Sequence, residues 1–292
     1  MTSTALVLGG QTGLLGQALV RTLNKHGFSV HTLGRADGDL QDRDFLSSQL
    51  AKIAPDFLFN TIAYTQVDKA EQDKAEALLW NRTLPDTLGR LVKESATHLI
   101  QFSTDFVFAG NKGSAYVETD ATRPLSVYGS SKLAGEQALL QLNLPNCCII
   151  RTAWLFGPGR SNFITTILEA CRKRDTISVI HDHMGSPTYS LDLAHWSMLL
   201  AQKKIPGIFH AVNNGTASWC ELACEAVNLS ESHCRVEAIP AAQWPQAAPR
   251  PIFSVLNTDK LTQAIGIKPR PWPQALRDYL YSEYLKNNKT PC

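Results

Sequence analysis

Apolar and polar residues alternate along the first half of this chain on two different periods. Short apolar or β-branched runs, typical of buried strands, are separated by longer segments in which apolar residues recur at helical spacing. The predicted strands cover residues 5–10, 28–34, 56–63, 98–104 and 147–157. The predicted helices cover residues 14–26, 45–53, 70–94 and 130–142. Strands that alternate with helices in this way predict an α/β fold with a doubly wound parallel sheet.

The pattern becomes less regular after residue 157. Helices are predicted at 162–174 and 190–203, and strands at 176–180 and 207–212. Seven prolines then fall between residues 240 and 273, which favours turns and short elements over another strand–helix repeat. We therefore divide the chain into residues 1–157 and a smaller part, residues 158–292, some elements of which return to the first sheet.

Composition narrows the functional classes. The 292 residues are 44% hydrophobic and 18% charged, and the net charge of +2 is spread without runs, which predicts no nucleic-acid or membrane partner. No segment reads as a signal peptide or a membrane span, so we expect a cytoplasmic protein. The seven cysteines lack paired spacing and nearby histidines, which predicts buried thiols and no metal site.

A glycine motif, GQTGLLG at residues 10–16, joins the first predicted strand to the first predicted helix. Its glycines are Gly10, Gly13 and Gly16. Glycines at this junction let the backbone approach a pyrophosphate, which then binds the helix N-terminus. The motif predicts a dinucleotide-binding domain of the Rossmann type at residues 1–157. We expect residues 158–292 mainly to bind the substrate. Arg35, after the second strand, favours the 2′-phosphate of NADPH over NADH, although Asp37 and Asp39 lie close enough to leave NADH as an alternative.

A second constellation predicts proton transfer. Tyr128 and Lys132 are four residues apart on a predicted helix and therefore share a face. A neighbouring ammonium is expected to lower the pKa of the phenol, and such a tyrosine can exchange a proton with a carbonyl or alkoxide oxygen. Thr104, at the end of the fourth strand, supplies a hydroxyl to hold that oxygen. We predict Tyr128, Lys132 and Thr104 as the catalytic residues.

Six motifs together resemble the extended short-chain dehydrogenase/reductases over nearly the whole chain. They are GQTGLLG, VDKAE at 67–71, STDFVF at 103–108, ETDATRPLSVYGSSKLAGE at 118–136, RTAWLFGPGRSNF at 151–163 and RPIFSVLNTDKL at 250–261. The resemblance implies reduction of the C4 carbonyl of dTDP-4-dehydro-6-deoxy-L-mannose to dTDP-L-rhamnose by NAD(P)H, for surface polysaccharide. It makes a dTDP-sugar the small-molecule partner. The resemblance leaves a homodimer and a Mg²⁺ requirement open, with no metal site visible.

The resemblance also assigns individual residues. It implies contacts to the cofactor at Gly13, Leu14, Leu15, Asp39, Leu40, Ala63, Tyr64, Thr65, Tyr128 and Lys132. It places the sugar against Thr104, Asp105 and Trp154, and it makes Tyr128 the proton donor. Arg250, in the last motif, is a candidate for the substrate diphosphate.

Departures from the family pattern bear on the alternatives. Phe106 stands where the family usually has Tyr, and Asn60-Thr61-Ile62 replaces a run of small residues. The related 4,6-dehydratases carry a glutamate where this chain has Phe106, so carbonyl reduction fits better than dehydration. A non-catalytic NADP-binding subunit, similar to the regulatory subunit of methionine adenosyltransferase, and another nucleotide-sugar reductase remain as alternatives.

Overall fold

The strands and helices are seen in a computed structural model, which describes residues 2–284. The strands are β1 (Thr4–Leu8), β2 (Ser29–Leu33), β3 (Phe57–Asn60), β4 (His98–Thr104), β5 (Cys147–Thr152), β6 (Leu155–Phe156), β7 (Thr176–Ile180), β8 (Met184–Gly185), β9 (Thr188–Tyr189), β10 (Gly207–His210), β11 (Ala217–Ser218) and β12 (Arg235–Ile239). The α-helices are α1 (Leu14–Lys25), α2 (Arg43–Ile53), α3 (Val67–Ala70), α4 (Lys74–Leu78), α5 (Leu84–Val92), α6 (Val127–Gln141), α7 (Phe163–Cys171), α8 (Ser190–Gln202), α9 (Trp219–Leu229), α10 (Asp259–Ile265) and α11 (Trp272–Tyr279). Single π-helical turns cover Leu79–Thr83 and Leu280–Tyr284.

Six parallel strands form the central sheet in the order β2-β1-β3-β4-β5-β10. The chain runs from β1 outward to β2 and then crosses to β3 on the other side of β1. This reversal makes the gap between the carboxyl ends of β1 and β3 the topological switch point, where doubly wound sheets bind ligands. The predicted α/β class and parallel sheet are confirmed.

Helices cover both faces of the sheet because successive residues of a strand point to opposite faces. Ala5 and Val7 of β1 pack on the side of α1 and α8. Leu6 and Leu8 pack on the other side, against residues of α2, α5 and α6. With both faces covered, the inner strands are largely apolar, which is why they appear in the sequence as nearly continuous runs.

The later elements form a second core beside the sheet. β7 and β12 pair in parallel, and α7, α9 and α11 pack around them. Two short pairs, β6 with β9 and β8 with β11, connect this region to the carboxyl end of the sheet. β10 and α8 belong instead to the central sheet and its helical layer.

Three sequence-based expectations are corrected. The helix predicted at 70–94 is two helices, α4 and α5, joined by the π turn and preceded by a break after α3. The strand predicted at 147–157 is interrupted at Trp154, whose backbone takes a φ of +47°. The prediction of buried thiols is wrong for Cys171, which is half-buried, and for Cys224, which is exposed; Cys292 lies outside the described residues. Within residues 2–284, no helix has the length and apolar content needed to cross a membrane.

Candidate active site

The glycine turn between β1 and α1 has the geometry of an anion-binding loop. Gly13 is the N-cap of α1, and no side chain caps the helix. The first N–H groups of a helix have no partner inside the helix, so the uncapped backbone at Leu14 and Leu15 can donate to a phosphate. A Cβ on Gly16 would lie 2.3 Å from the Gly9 carbonyl oxygen, so glycine is required for this close packing.

Gly9 is a functional glycine that the spacing of the motif did not identify. Its φ of +79° makes the turn, and its carbonyl accepts the Gly13 N–H at 3.0 Å. Gly10, which the motif places in the phosphate loop, is buried against Thr32 and Val20 and permits β2 and α1 to pack closely. The turn is therefore built on Gly9, Gly13 and Gly16.

The end of β2 carries the residues expected at the adenosine end. The exposed Arg35 guanidinium lies 4.4 Å from the centre of the Trp80 ring. Asp37 accepts hydrogen bonds from the Gly34 N–H and from Gln11 of the glycine turn, which connects the two loops. The Asp39 carboxylate accepts the Gln41 N–H, whereas Leu40 is 1% exposed and packs in the core, leaving only its backbone for a ligand.

Beyond β3, Ala63, Tyr64 and Thr65 lie at the same edge of the sheet. The Tyr64 N–H donates to the side chain of Asn81 at 2.9 Å, and the Asn81 amide donates back to the Tyr64 carbonyl and to Ser131 on α6. Asn81 lies in the π turn, a feature often found at functional sites. It therefore connects the loop after β3 to the residue next to Lys132.

Tyr128, Lys132 and Thr104 come together at the carboxyl end of β4. Ser126 caps α6 by accepting the Gly129 N–H, so Tyr128 lies in the first turn of the helix and Lys132 one turn later. The Thr104 hydroxyl lies close enough to the phenol of Tyr128 to lower its pKa. The buried Lys132 ammonium donates to the Phe102 carbonyl at 2.7 Å, which attaches α6 to β4.

The expected pKa of Tyr128 was wrong in direction. Desolvation of the phenol and the nearby charge of Asp105 raise its pKa to about 12, although the nearby Thr104 hydroxyl acts the other way. Burial also lowers the pKa of Lys132 to about 8. Because the ammonium is directed to a backbone carbonyl, it is not among the groups that lower the pKa of the phenol. Tyr128 is thus held in its protonated form, the state a proton donor requires.

Asp105, next to Thr104, is 2% exposed and hydrogen-bonded on both carboxylate oxygens. Thr104 donates to one oxygen at 3.0 Å, and Ser254 donates to the other at 2.5 Å. Burial raises the pKa of Asp105 to about 6 despite these hydrogen bonds. Ser254 is separated from Asp105 by 149 residues, so nothing local in the sequence indicated this contact.

Trp154 lies in an aromatic stack near these groups. Its ring is parallel to that of Trp219, with centres 3.5 Å apart. Gly185 lies directly against the Trp154 ring, where a Cβ would clash. The carbonyl of Met184, next to Gly185, accepts the Ser254 N–H, and Ser254 donates to Asp105. Trp154 is therefore linked to Asp105 through this segment.

Arg250 is held by an ion pair. Its guanidinium donates to both carboxylate oxygens of Asp68, at 2.9 and 2.7 Å. Asp68 also accepts the N–H groups of Ala247 and Ala248, and Arg250 lowers its pKa to about 2. The sequence suggested that Arg250 binds the substrate diphosphate. In the structure, Asp68 of the VDKAE segment neutralises the charge of Arg250. Among residues 2–284, no group of three His, Cys, Asp or Glu side chains could hold a metal ion.

Comparison with known proteins shows that nearly the whole chain matches one protein family. The family model described as the RmlD substrate binding domain matches residues 4–285. A dTDP-4-dehydrorhamnose reductase from Aggregatibacter actinomycetemcomitans is 36% identical over 286 residues, with 94% of this chain and 97% of the relative covered. A Streptomyces antibioticus protein named "Probable dTDP-4,6-dihydroxy-2-methyloxan-3-one 4-ketoreductase" is 37% identical, with 93% of each chain covered. The crystal structure of a dTDP-4-dehydrorhamnose reductase from Bacillus anthracis in complex with NADP is 28% identical, covers 97% of this chain and 100% of its own, and superposes with a TM-score of 0.93.

Proposed function

We propose a function on the premise that this chain belongs to the RmlD substrate binding domain family, among the extended short-chain dehydrogenase/reductases. The chain reduces the C4 carbonyl of dTDP-4-dehydro-6-deoxy-L-mannose to the alcohol, giving dTDP-L-rhamnose. The observation that carries the proposal is that Tyr128, Thr104 and Lys132 lie together at the carboxyl end of β4, the same edge of the parallel sheet as the glycine turn after β1. The names of the relatives support the substrate.

The residues at the switch point fit a dinucleotide. Gly9, Gly13 and Gly16 leave a cradle that a Cβ would fill, and the uncapped backbone at Leu14 and Leu15 faces the expected pyrophosphate. Arg35 would hold the 2′-phosphate of NADPH, and Lys132 the nicotinamide ribose. When bound, NADPH supplies a hydride for the carbonyl carbon.

The chain's own groups supply the proton and the orientation. Tyr128, protonated at neutral pH, donates its phenolic proton to the C4 oxygen as that oxygen becomes an alcohol. Thr104 would donate to the same oxygen by turning its hydroxyl proton away from Asp105. The Lys132 ammonium lies one helical turn away from the phenolate that remains. Asp105 accepts from the sugar hydroxyls, and Trp154 provides an apolar surface for the ring.

The test is turnover with a panel of dTDP-linked 4-keto sugars, each with NADPH and with NADH. We expect NADPH oxidation with the 6-deoxy-L-mannose compound and a product heavier by two hydrogens. The free keto sugar should be reduced far more slowly. Equal efficiency with and without dTDP would overturn the nucleotide-sugar assignment.

The Streptomyces relative supports one second candidate, a reductase for a different dTDP-linked 4-keto sugar. Preferential turnover of such a compound in the same panel would select it. A purified protein that binds NADPH, reduces none of the panel and co-purifies with a partner would instead indicate a non-catalytic subunit.

A further inference from the structure

A row of polar side chains crosses three neighbouring strands immediately below the candidate site. Ser103 on β4, Arg151 on β5 and His210 on β10 are partners in the register of the parallel sheet. All three are buried. A charged group in such a place is costly unless it is paired and hydrogen-bonded. The row therefore needs a partner from outside the sheet.

Glu136 of α6 is that partner. Its carboxylate accepts from the Ser103 hydroxyl and from Nε and Nη2 of Arg151, the latter two at 3.0 and 2.6 Å. The side chains of Glu136 and Arg151 are 1% and 3% exposed. The Arg151 Nη1 atom lies 3.5 Å from His210 Nε2 and from the Glu118 carbonyl. A single carboxylate thus attaches α6 to two strands of the sheet.

The row adjoins the reacting groups on both elements. Ser103 immediately precedes Thr104 on β4, and Glu136 follows Lys132 by four residues on α6, on the same helical face. The helix is consequently held to β4 at two adjacent levels, through Lys132 on the Phe102 carbonyl and through Glu136 on Ser103. The positions of Tyr128 and Thr104 relative to each other depend on this attachment.

We propose that Glu136 is a positioning residue for the Tyr128–Lys132 pair, fixing α6 on the end of β4 and supplying a negative charge beside the buried Lys132 ammonium. This inference rests on the proposed reductase function. The sequence analysis assigned no role to Glu136, Ser103 or Arg151.

The charge has a consequence for Lys132. Burial lowers the pKa of Lys132 to about 8, and the charge of Glu136 opposes that fall. Two other charged groups lie at this end of the sheet. They are Arg151 of β5, whose charge Glu136 neutralises, and Asp105, which follows β4. His210 of β10 is neutral because burial and Arg151 lower its pKa to about 3, and Tyr128 of α6 is neutral. Removal of the carboxylate therefore leaves Lys132 to lose its proton at a lower pH.

The experiment is the pH profile of kcat/KM with NADPH and the keto-sugar nucleotide for wild type, Glu136→Gln, Glu136→Asp and Ser103→Ala. We expect the alkaline limb of Glu136→Gln to move down by about one pH unit, so that kcat/KM above the limb falls about tenfold. Glu136→Asp keeps the charge and should retain the wild-type limb. Ser103→Ala removes the hydrogen bond but no charge and should also retain the position of the limb.

Glu136→Gln leaves Arg151 without a carboxylate and can fail to fold. The double variant Glu136→Gln/Arg151→Gln removes both charges and should show a limb shifted in the same direction, by no more than in the single variant. An unmoved limb in either folded variant, or an equal shift in Ser103→Ala, overturns the proposal. Failure of both variants to fold, while Glu136→Asp and Ser103→Ala fold, would make Glu136 a folding residue only and also overturn it.

A second readout separates this proposal from the proposed function. NADPH affinity is measured by tryptophan fluorescence across the same pH range. As pH rises, the affinity of Glu136→Gln should begin to fall at a lower pH than that of the wild type. If the wild type reduces no keto-sugar nucleotide, the proposed function fails, and the binding profile alone decides the role of Glu136. Superimposable binding profiles in that case would overturn it.

Discussion

At the residue scale, the phenol of Tyr128 is the group on which the chemistry depends. Tyr128→Phe keeps the ring and its edge-to-face contact with Phe106, 5.7 Å between centres, and removes only the proton donor. We expect kcat to fall by about 10²–10⁴, the contribution of a positioned general acid. The measurement is steady-state turnover, with NADPH affinity as the control. A variant that retains most of its kcat would show that another group donates the proton.

Asp105 illustrates a residue kept at a cost to stability. Its folded-state pKa of about 6 lies above the value in the unfolded chain. The stability that the folded state gains by holding this carboxyl protonated is therefore fully present below about pH 4 and is lost as pH rises through 6. At pH 7.5 the buried carboxylate costs about 2–3 kcal/mol. We therefore expect Asp105→Asn to raise the free energy of unfolding at pH 7.5, to leave it unchanged near pH 4, and to lower kcat/KM. Urea unfolding at both pH values measures this, and an Asn variant that is less stable at pH 7.5 would contradict it.

Arg35 tests cofactor choice with a single exposed side chain. If its guanidinium, 4.4 Å from the Trp80 ring centre, meets the 2′-phosphate, NADPH binds more tightly than NADH. Arg35→Ala should then narrow that difference by about 1.5–3 kcal/mol, the contribution of a charged hydrogen bond. Arg35→Lys, which keeps the charge, should retain part of the preference. Equal affinities of the wild type for the two cofactors would mean that Arg35 serves only the turn.

At the scale of elements, the strand–turn–helix unit at the front of the chain can be tested through its glycines. Gly16→Ala places a Cβ 2.3 Å from the Gly9 carbonyl oxygen, so the turn must shift where the pyrophosphate is expected. We expect NADPH affinity to fall at least about tenfold, which is about 1.4 kcal/mol. Gly27→Ala is the control, because it has a φ of +77° and open space around it and should cost stability alone. Similar losses of NADPH affinity in both variants would mean that general destabilisation, and not the shifted turn, causes the effect.

Two elements also show where periodicity stops being informative. The segment 70–94 has continuous helical spacing, but the backbone inserts a π turn that brings Asn81 to Tyr64 and Ser131. The run at 147–157 is apolar except at Arg151 and Thr152, but Trp154 takes a left-handed conformation and ends the strand. In both cases contacts with other elements outweigh a local preference, which differs between conformations by only about 1 kcal/mol per residue.

At the scale of the whole molecule, the ion pair of Arg250 with Asp68 connects the segment before Ser254 to the region after β3. The Asp68 side chain is 49% exposed, so solvent screening limits the pair to about 1 kcal/mol of coupling. A double-mutant cycle with Asp68→Asn and Arg250→Met, followed by urea unfolding, should return that coupling. Since the same segment carries Ser254 to Asp105, both single variants should also raise KM for the keto sugar. Strictly additive changes in stability would show that the pair is unimportant.

The sequence by itself determined the α/β class, the strand–glycine–helix unit and the candidate trio of Tyr128, Lys132 and Thr104. These features depend on short spacings, since periods of two and 3.6 residues and a separation of four on a helix do not require knowledge of distant partners. Only the tertiary structure decided how those groups are held and charged. Asn81 meets Ser131 across 50 residues, Ser254 meets Asp105 across 149, and Glu136 meets Arg151 on a different element. The pKa of Tyr128 rose although a lysine four residues away predicted a fall, because burial and the direction of the Lys132 ammonium depend on packing between elements, which local spacing does not contain.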